Sequence, residues 1–307
     1  MLGFICRRII ALIPVALGVV IFVALMTRLV PGDPVDVILG DFATLEEKTA
    51  LRHSLGLDVP VVEQLWTYAR HVAKGDLGRS IVYNRPVLDM IGERIGATFE
   101  LALTALAIAL AISLPLGIVS ALRKDTWIDY LAMGFAITGV ALPGFWLGPM
   151  LVLLFSLKLD LLPVSERGDW TSYILPALTM GTALAAALAR MTRNAMLDTM
   201  REDYVRTARA KGAGEARVIL IHVLRNAALP LVTVLGLQFG VLLTGAIITE
   251  KIFDWPGIGS LVLEGILQRD YPVVEGCVLM FSFSYLAVNL LTDILYAVVD
   301  PRIKLES

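Results

Sequence analysis

The sequence predicts an all-α integral membrane protein: six transmembrane helices, with a helical loop on the outer side between the first and second. Three observations carry this. Hydrophobic residues make up 57% of the 307-residue chain and charged ones 18%, against roughly 45–50% and about 25% in soluble domains. The mean hydropathy of +0.76 agrees with that balance. Apolar stretches near the length that crosses a bilayer recur at about 9–30, 98–121, 129–156, 173–193, 227–249 and 273–299. Finally, lysines and arginines gather at alternate span ends. Arg7, Arg8, Arg123, Lys124, Arg190, Arg193, Arg201, Arg302 and Lys304 fall on the same side as a basic loop at 194–226. Positive charge marks the cytoplasmic side, so both termini are expected there. The chain reads as one domain over residues 1–307.

The first span opens on a short basic start and could be a secretory leader. However, Ile9–Val30 is apolar apart from Thr27 and Arg28, and no small-x-small cleavage site closes it. A retained span is the better reading. The outer, periplasmic loop 31–97 carries its own helical signals. Thr44 and Glu47 form a capping box, and Gly56 supplies a stop. Val62, Leu65, Trp66, Ala69, Val72 and Ala73 then follow helical spacing up to Gly75. A third amphipathic piece, PVLDMIGERIG, leads into the second span. Such helices lie on the outer membrane surface or cap the bundle.

Span three contains TGVALPGFWLG (138–148), the densest group of helix breakers in the chain. Pro143 and Gly144 there mark either a hinge or pore-lining segment, or an ordinary kink. Span four is small rather than greasy at Ala183–Ala189, which suits close helix–helix approach inside the bundle. Spans five and six contribute Gln238, Asn289 and Asp293. Polar groups in a membrane either bond between helices or mark a pathway, and for Asp293 both readings stand. Between those spans, DWPG (254–257) and RDYP (269–272) form either an outer gate, with Asp254 and Trp255, or a rigid turn.

Several chemistries are disfavoured. His53, His71 and His222 all lie outside the spans, which argues against an intramembrane Ser/His protease. Cys6 and Cys277 have no metal-ligand spacing, and no G-x-x-x-x-G-K-[ST] loop is present. No cofactor, metal or nucleic acid is expected on this chain, and the partner it needs first is membrane lipid.

The segment DYVRTARAKGAGEARVILIHVLRN (203–226) is basic beyond what topology requires. Acids (Glu202, Asp203) lead its first helix, while Arg206, Arg209 and Lys211 follow, the order that suits the helix dipole. Gly212 and Gly214 supply a stop and turn before helical periodicity resumes. A rigid charged protrusion of this kind suits docking to another protein.

At these residues the chain resembles the inner-membrane permease subunits of ABC importers. Aligned on Gly212, Ala208 and Leu224 fit the family's E-A-A-x3-G-x9-I-x-L-P signature. Arg206, Thr207, His222 and Arg225 depart from it. RLVPGDP (28–34), LGLDVPVVEQ (55–64), GDLGRS (75–80), ILPALTMG (174–181), EKIFDWPGIG (250–259), RDYPVV (269–274) and DPRI (300–303) stand in the order of the dipeptide/oligopeptide/nickel branch, closest to its first permease.

The resemblance implies a type I importer fold in a bacterial inner membrane. It implies a second related permease, two cytoplasmic ABC ATPase subunits using ATP and Mg, and an extracytoplasmic binding protein. A coupling helix at 201–214 would dock on the ATPase through Glu202, Asp203, Tyr204, Val205, Arg206, Ala208, Arg209, Lys211 and Gly212. The chain itself would have no catalytic residues. Di- or oligopeptides are the favoured cargo, with nickel chelate, glutathione or oligosaccharide as alternatives. Met191, Met196 and Met200 are a weak hint toward metal. A self-contained secondary carrier or channel is the rival from another class, and sparse buried charge argues against it.

Overall fold

Each apolar stretch satisfies its backbone internally by winding into helix, as a chain in lipid must. In the computed structural model, which describes residues 2–29, 35, 39, 43–54, 58–165 and 167–299, the described chain is helical throughout apart from turns and one isolated bridge between Arg79 and Pro86. The elements are α1 (Leu2–Leu29), α2 (Leu45–Ser54), α3 (Val61–Ala73), α4 (Val87–Leu122), α5 (Trp127–Ala141), α6 (Gly144–Leu151), α7 (Ile174–Thr199), α8 (Asp203–Ala210), α9 (Glu215–Arg217), α10 (Leu224–Gly245), α11 (Ile247–Ile252), α12 (Ile258–Gln268) and α13 (Tyr271–Val299). Wide π-type turns extend α6 through Val152–Lys158 and join α9 to α10 through Val218–Val223.

Among the described residues, α4, α7 (from Trp170) and α13 are each long and apolar enough to cross a membrane. Two helix pairs pass the same test only when taken together, each bent at a break and so either one broken span or a re-entrant loop. α5 meets the α6 segment at 105°, and the segment from Glu215 meets the one from Pro230 at 50°. The apolar part of α1 runs over Ile10–Leu25. The break between α5 and α6 falls where the proline and glycines stand in sequence. Leu142 and Pro143 are extended, and Gly144 opens the new helix.

The centre of the bundle is α7. Its apolar window is 61% buried, against 28% for α4 and 33% for α13. Small residues make this possible. Ala97, Leu101, Ala105 and Ala109 of α4 meet Ala177, Leu184, Ala185 and Leu188 of α7 in one core cluster. A Cβ on Gly181 would lie 2.8 Å from the Ala105 carbonyl oxygen, so only glycine lets the backbones come this close. The side-chain smallness that weakens this span's hydropathy is what lets it take the middle.

At the end of the bundle where α12 lies, two buried carboxylates fix the connections. Asp270 accepts hydrogen bonds from the Ser80 hydroxyl and from the amides of Ile81 (3.1 Å) and Val82 (3.3 Å), so it pins the 79–86 turn. Glu250 accepts from the Thr98 hydroxyl (2.7 Å) and the Ser260 amide (2.9 Å), tying α11 and α12 to α4. Its carboxylate occupies the space a Cβ on Gly257 would need. Thr44 and Glu47 form the expected capping box, with the Thr44 amide and hydroxyl both donating to Glu47.

Candidate functional site

The 202–214 segment begins at Glu202, which is extended (φ −69°, ψ 144°) and whose carbonyl accepts from the Val205 and Arg206 amides. α8 then runs for eight residues to Ala210. Its end is a Schellman motif. The Gly212 amide donates to the Arg209 carbonyl (2.9 Å), the Ala213 amide donates to the Ala208 carbonyl (3.2 Å), and Gly212 sits at φ +80°. Glycine at this position therefore has a backbone reason.

Two faces result. On one, Val205 is 0% exposed and joins Ala121 of α4, Met196 of α7, Val218 and Val223 of the π turn, and Ala227 of α10. Ala208 and Ala213 pack at the edge of this cluster. On the other face Tyr204 is 42% exposed, and Asp203, Arg206, Arg209, Lys211 and Gly212 are also exposed. Val205 is thus an anchor into the bundle rather than a contact for a docking protein. Met196 is likewise taken up by packing.

The charges are not equally free. Arg209 crosses the glycine turn to Glu215 through two bonds of 3.1 and 2.6 Å, which brace α8 against α9. Those bonds hold the Glu215 carboxyl below its ordinary range. Arg206 approaches Asp203 at 3.5 Å one turn earlier, with both groups largely in the open. Lys211 is exposed at the helix end, where its charge suits the dipole.

Directly beside this anchor lies a joint that sequence reading missed. Arg193 of α7 donates from Nε (2.7 Å) and Nη2 (2.6 Å) to the two carboxylate oxygens of Asp129 on α5. Asp129 also accepts from the Ser120 hydroxyl at the end of α4 and from the Asp125 amide (3.0 Å). One carboxylate thereby ties three helix ends together, next to Ala121 and Met196 of the Val205 cluster. In the sequence Arg193 reads as one topology charge among many. The only available signal was an unexplained aspartate in the first turn of an apolar helix.

The candidate pathway residues separate into groups. Gln238 on α10 and Asn289 and Asp293 on α13 stand on two helices packed closely at Gly236–Thr292 and Gly240–Tyr285. Asp293 pairs with Arg8 of α1 at 2.9 Å, which favours the structural reading of that residue. Asn289 Oδ1 is buried without a hydrogen-bond partner among the described residues. Pro143 and Gly144 lie elsewhere, at the α5–α6 break facing Thr179 of α7. Asp254 and Trp255 part company. Asp254 is exposed in a left-handed turn (φ 46°), whereas Trp255 is buried, donates to the Ala97 carbonyl (2.9 Å) and stacks edge-on against Tyr173. The DWPG segment is therefore built as a braced turn, held by Trp255 and Glu250.

A helical membrane bundle carrying a short amphipathic helix anchored at the ends of α4, α7 and α10 defines a class. Residues 113–305 match the family of binding-protein-dependent transport system inner membrane components, and residues 1–102 match the N-terminal component of such membrane proteins. The chain belongs to this family: it is a permease subunit of an ABC importer of the peptide/glutathione branch. Such a system implies an ATPase and a binding protein as partners. Over 304 residues, 99% of each chain, it is 44% identical to the glutathione transport system permease protein GsiC of Salmonella typhimurium (strain LT2) and 42% identical to that of Escherichia coli (strain K12). The inward-facing MetNI methionine ABC transporter shares the fold, with TM-score 0.59 at 13% identity over 69% of this chain and 96% of that one.

Proposed function

We propose that this chain forms half of the translocation pathway of an ATP-driven importer for glutathione, and that α8 is its coupling helix. The cargo rests on one observation, the 42–44% identity to permeases named for glutathione transport across 99% of both chains. That moves the reading away from the di- and oligopeptides favoured by motif alone, to one of the alternatives. Glutathione is itself a tripeptide, so the branch-level motifs are compatible with either cargo.

In this reading the second half of the pathway comes from a related permease, and two ATPase subunits lie beneath, using ATP and Mg. Both termini and α8 are cytoplasmic, while α3 and α12 face the outer side of a bacterial inner membrane. The exposed Tyr204, Arg206 and Lys211 contact the ATPase, with Glu202 and Asp203 at the entry to the helix. Val205, Ala208 and Gly212 hold the helix to the bundle, and Arg209 sets the turn. Movement of α8 reaches α5 and α7 through the Asp129–Arg193 joint, and the α5–α6 break at Pro143 and Gly144 gives the span somewhere to bend. Gln238 and Asn289 are the candidates for polar groups along the path.

The cargo test is uptake of radiolabelled glutathione by the complete transporter in proteoliposomes with internal ATP. ATP-dependent accumulation that excess dialanine does not compete away is the expected result. Accumulation of labelled dipeptide with no glutathione uptake would reject the cargo while leaving the permease class intact.

A further inference from the structure

The helix α3 has an apolar arc wider than the bundle uses. At 100° per residue, Tyr68, Val72, Leu65, Ala69, Val62 and Trp66 fall in sequence around one side of it. Tyr68, Ala69 and Val72 pack into a cluster with Val19, Val20 and Val23 of α1 and with Val278, Leu279 and Phe283 of α13. Val62 and Trp66, one turn apart, continue the same arc yet stand 78% and 71% exposed. Glu63, Thr67 and His71 occupy the remaining, exposed side, and Arg70, one turn on from Trp66, flanks the edge of the arc and is exposed.

The depth of this helix decides what covers the two residues. Val23 lies six positions before the end of α1, about 9 Å along its axis, and Val278 lies seven positions into α13, about 10 Å. The packed side of α3 thus meets α1 near the end of its apolar part (Ile10–Leu25) and α13 inside its apolar stretch (Tyr271–Ile294), at the edge of what a bilayer would cover. The exposed Phe22 of α1, beside the packed residues, continues the apolar surface around α3. Tryptophan at the edge of such a surface, with arginine beside it one turn on, is the pattern of an interfacial helix.

We propose that α3 lies in the plane of the outer leaflet, with Val62 and Trp66 seated at the boundary between phospholipid headgroups and acyl chains. The bundle covers one half of its apolar arc and lipid the other. This does not depend on the cargo or on the coupling role of α8.

Nitroxide labels test it, placed singly at V62C, W66C and H71C in the full chain with C6S, reconstituted into phosphatidylethanolamine/phosphatidylglycerol bilayers. Cys277 is buried and stays. Labels at 62 and 66 should be relaxed more by oxygen than by a water-soluble nickel chelate, at a depth of about 5–10 Å, and the label at 71 the reverse. Nickel accessibility at 62 and 66 equal to that at 71 would place the face in water and overturn the proposal. Shielding of 62 and 66 from both reagents would overturn it too, by showing a protein partner there. All three parent residues are exposed, so the labels replace no buried packing.

Discussion

Arg193 and Asp129 form a two-pronged ion pair, 2.7 and 2.6 Å, that joins α7 to α5 beside the anchor of α8. Asp129 is 3% exposed and Arg193 18%, so the carboxylate has almost no water to fall back on and the guanidinium little. Removing one partner strands the other, at a cost of about 3 kcal/mol. Asp129→Asn and Arg193→Met should each lower the thermal unfolding midpoint of the purified permease by several degrees. The double variant Asp129→Leu/Arg193→Met should recover much of that loss, because no charge is left stranded.

Gly212 closes α8 at φ +80°, with open space around the missing Cβ. Only backbone strain then opposes substitution, at about 1–3 kcal/mol for a β-branched residue. Gly212→Val should reduce the glutathione-stimulated ATPase activity of the assembled transporter, while fraying of the exposed turn relieves the strain locally, so that the unfolding midpoint of the bundle falls less than in Asp129→Asn. Gly212→Asn, which tolerates the left-handed region, should retain coupling.

Val205 and Arg206 are neighbours with opposite roles. Truncating the buried side chain in Val205→Ala should loosen α8 by about 1–2 kcal/mol and raise amide hydrogen exchange over 203–223. Arg206 is exposed, and Arg206→Ala should leave exchange unchanged.

The Arg209–Glu215 brace should respond to acid in a defined direction. Hydrogen bonds from Arg209 depress the Glu215 carboxyl below its ordinary 4.5. A depressed carboxyl stabilises the fold above its unfolded value, and this contribution is lost as pH falls through the folded value. Exchange protection of the 209–215 amides, corrected for intrinsic rates, should hold from neutral pH down to about 4.5 and fall below it. In Glu215→Gln the acid-dependent loss should vanish.

Much of this was legible in sequence because the rules involved are local. Helical apolar runs, the Thr44–Glu47 box, the proline-glycine break at 142–144 and the stop at Gly212 all depend on residues within a turn or two of one another. Pairings across the fold were not. Nothing near Asp129 announces Arg193, 64 positions on, and nothing near Glu250 announces Thr98. The helix, glycine turn and helix around Val205 are legible in sequence, but exposure is not, so a buried anchor falls in one group with surface charges. Trp255 was open to the same confusion, since a tryptophan in an outer turn fits a gate as well as a brace. The cargo is written in no single residue, and the proposal of glutathione over peptides in general rests on overall similarity to relatives.

The central claim is that the exposed face of α8 meets the ATPase. A photo-crosslinking amino acid at Tyr204, Arg206 or Lys211 in the intact transporter tests this most directly, with Arg123 on a neighbouring turn as reference. The expected result is a crosslink to the ATPase subunit from the α8 positions that changes in yield when ATP is bound. Crosslinks to the ATPase from Arg123 but from none of the three α8 positions would contradict it.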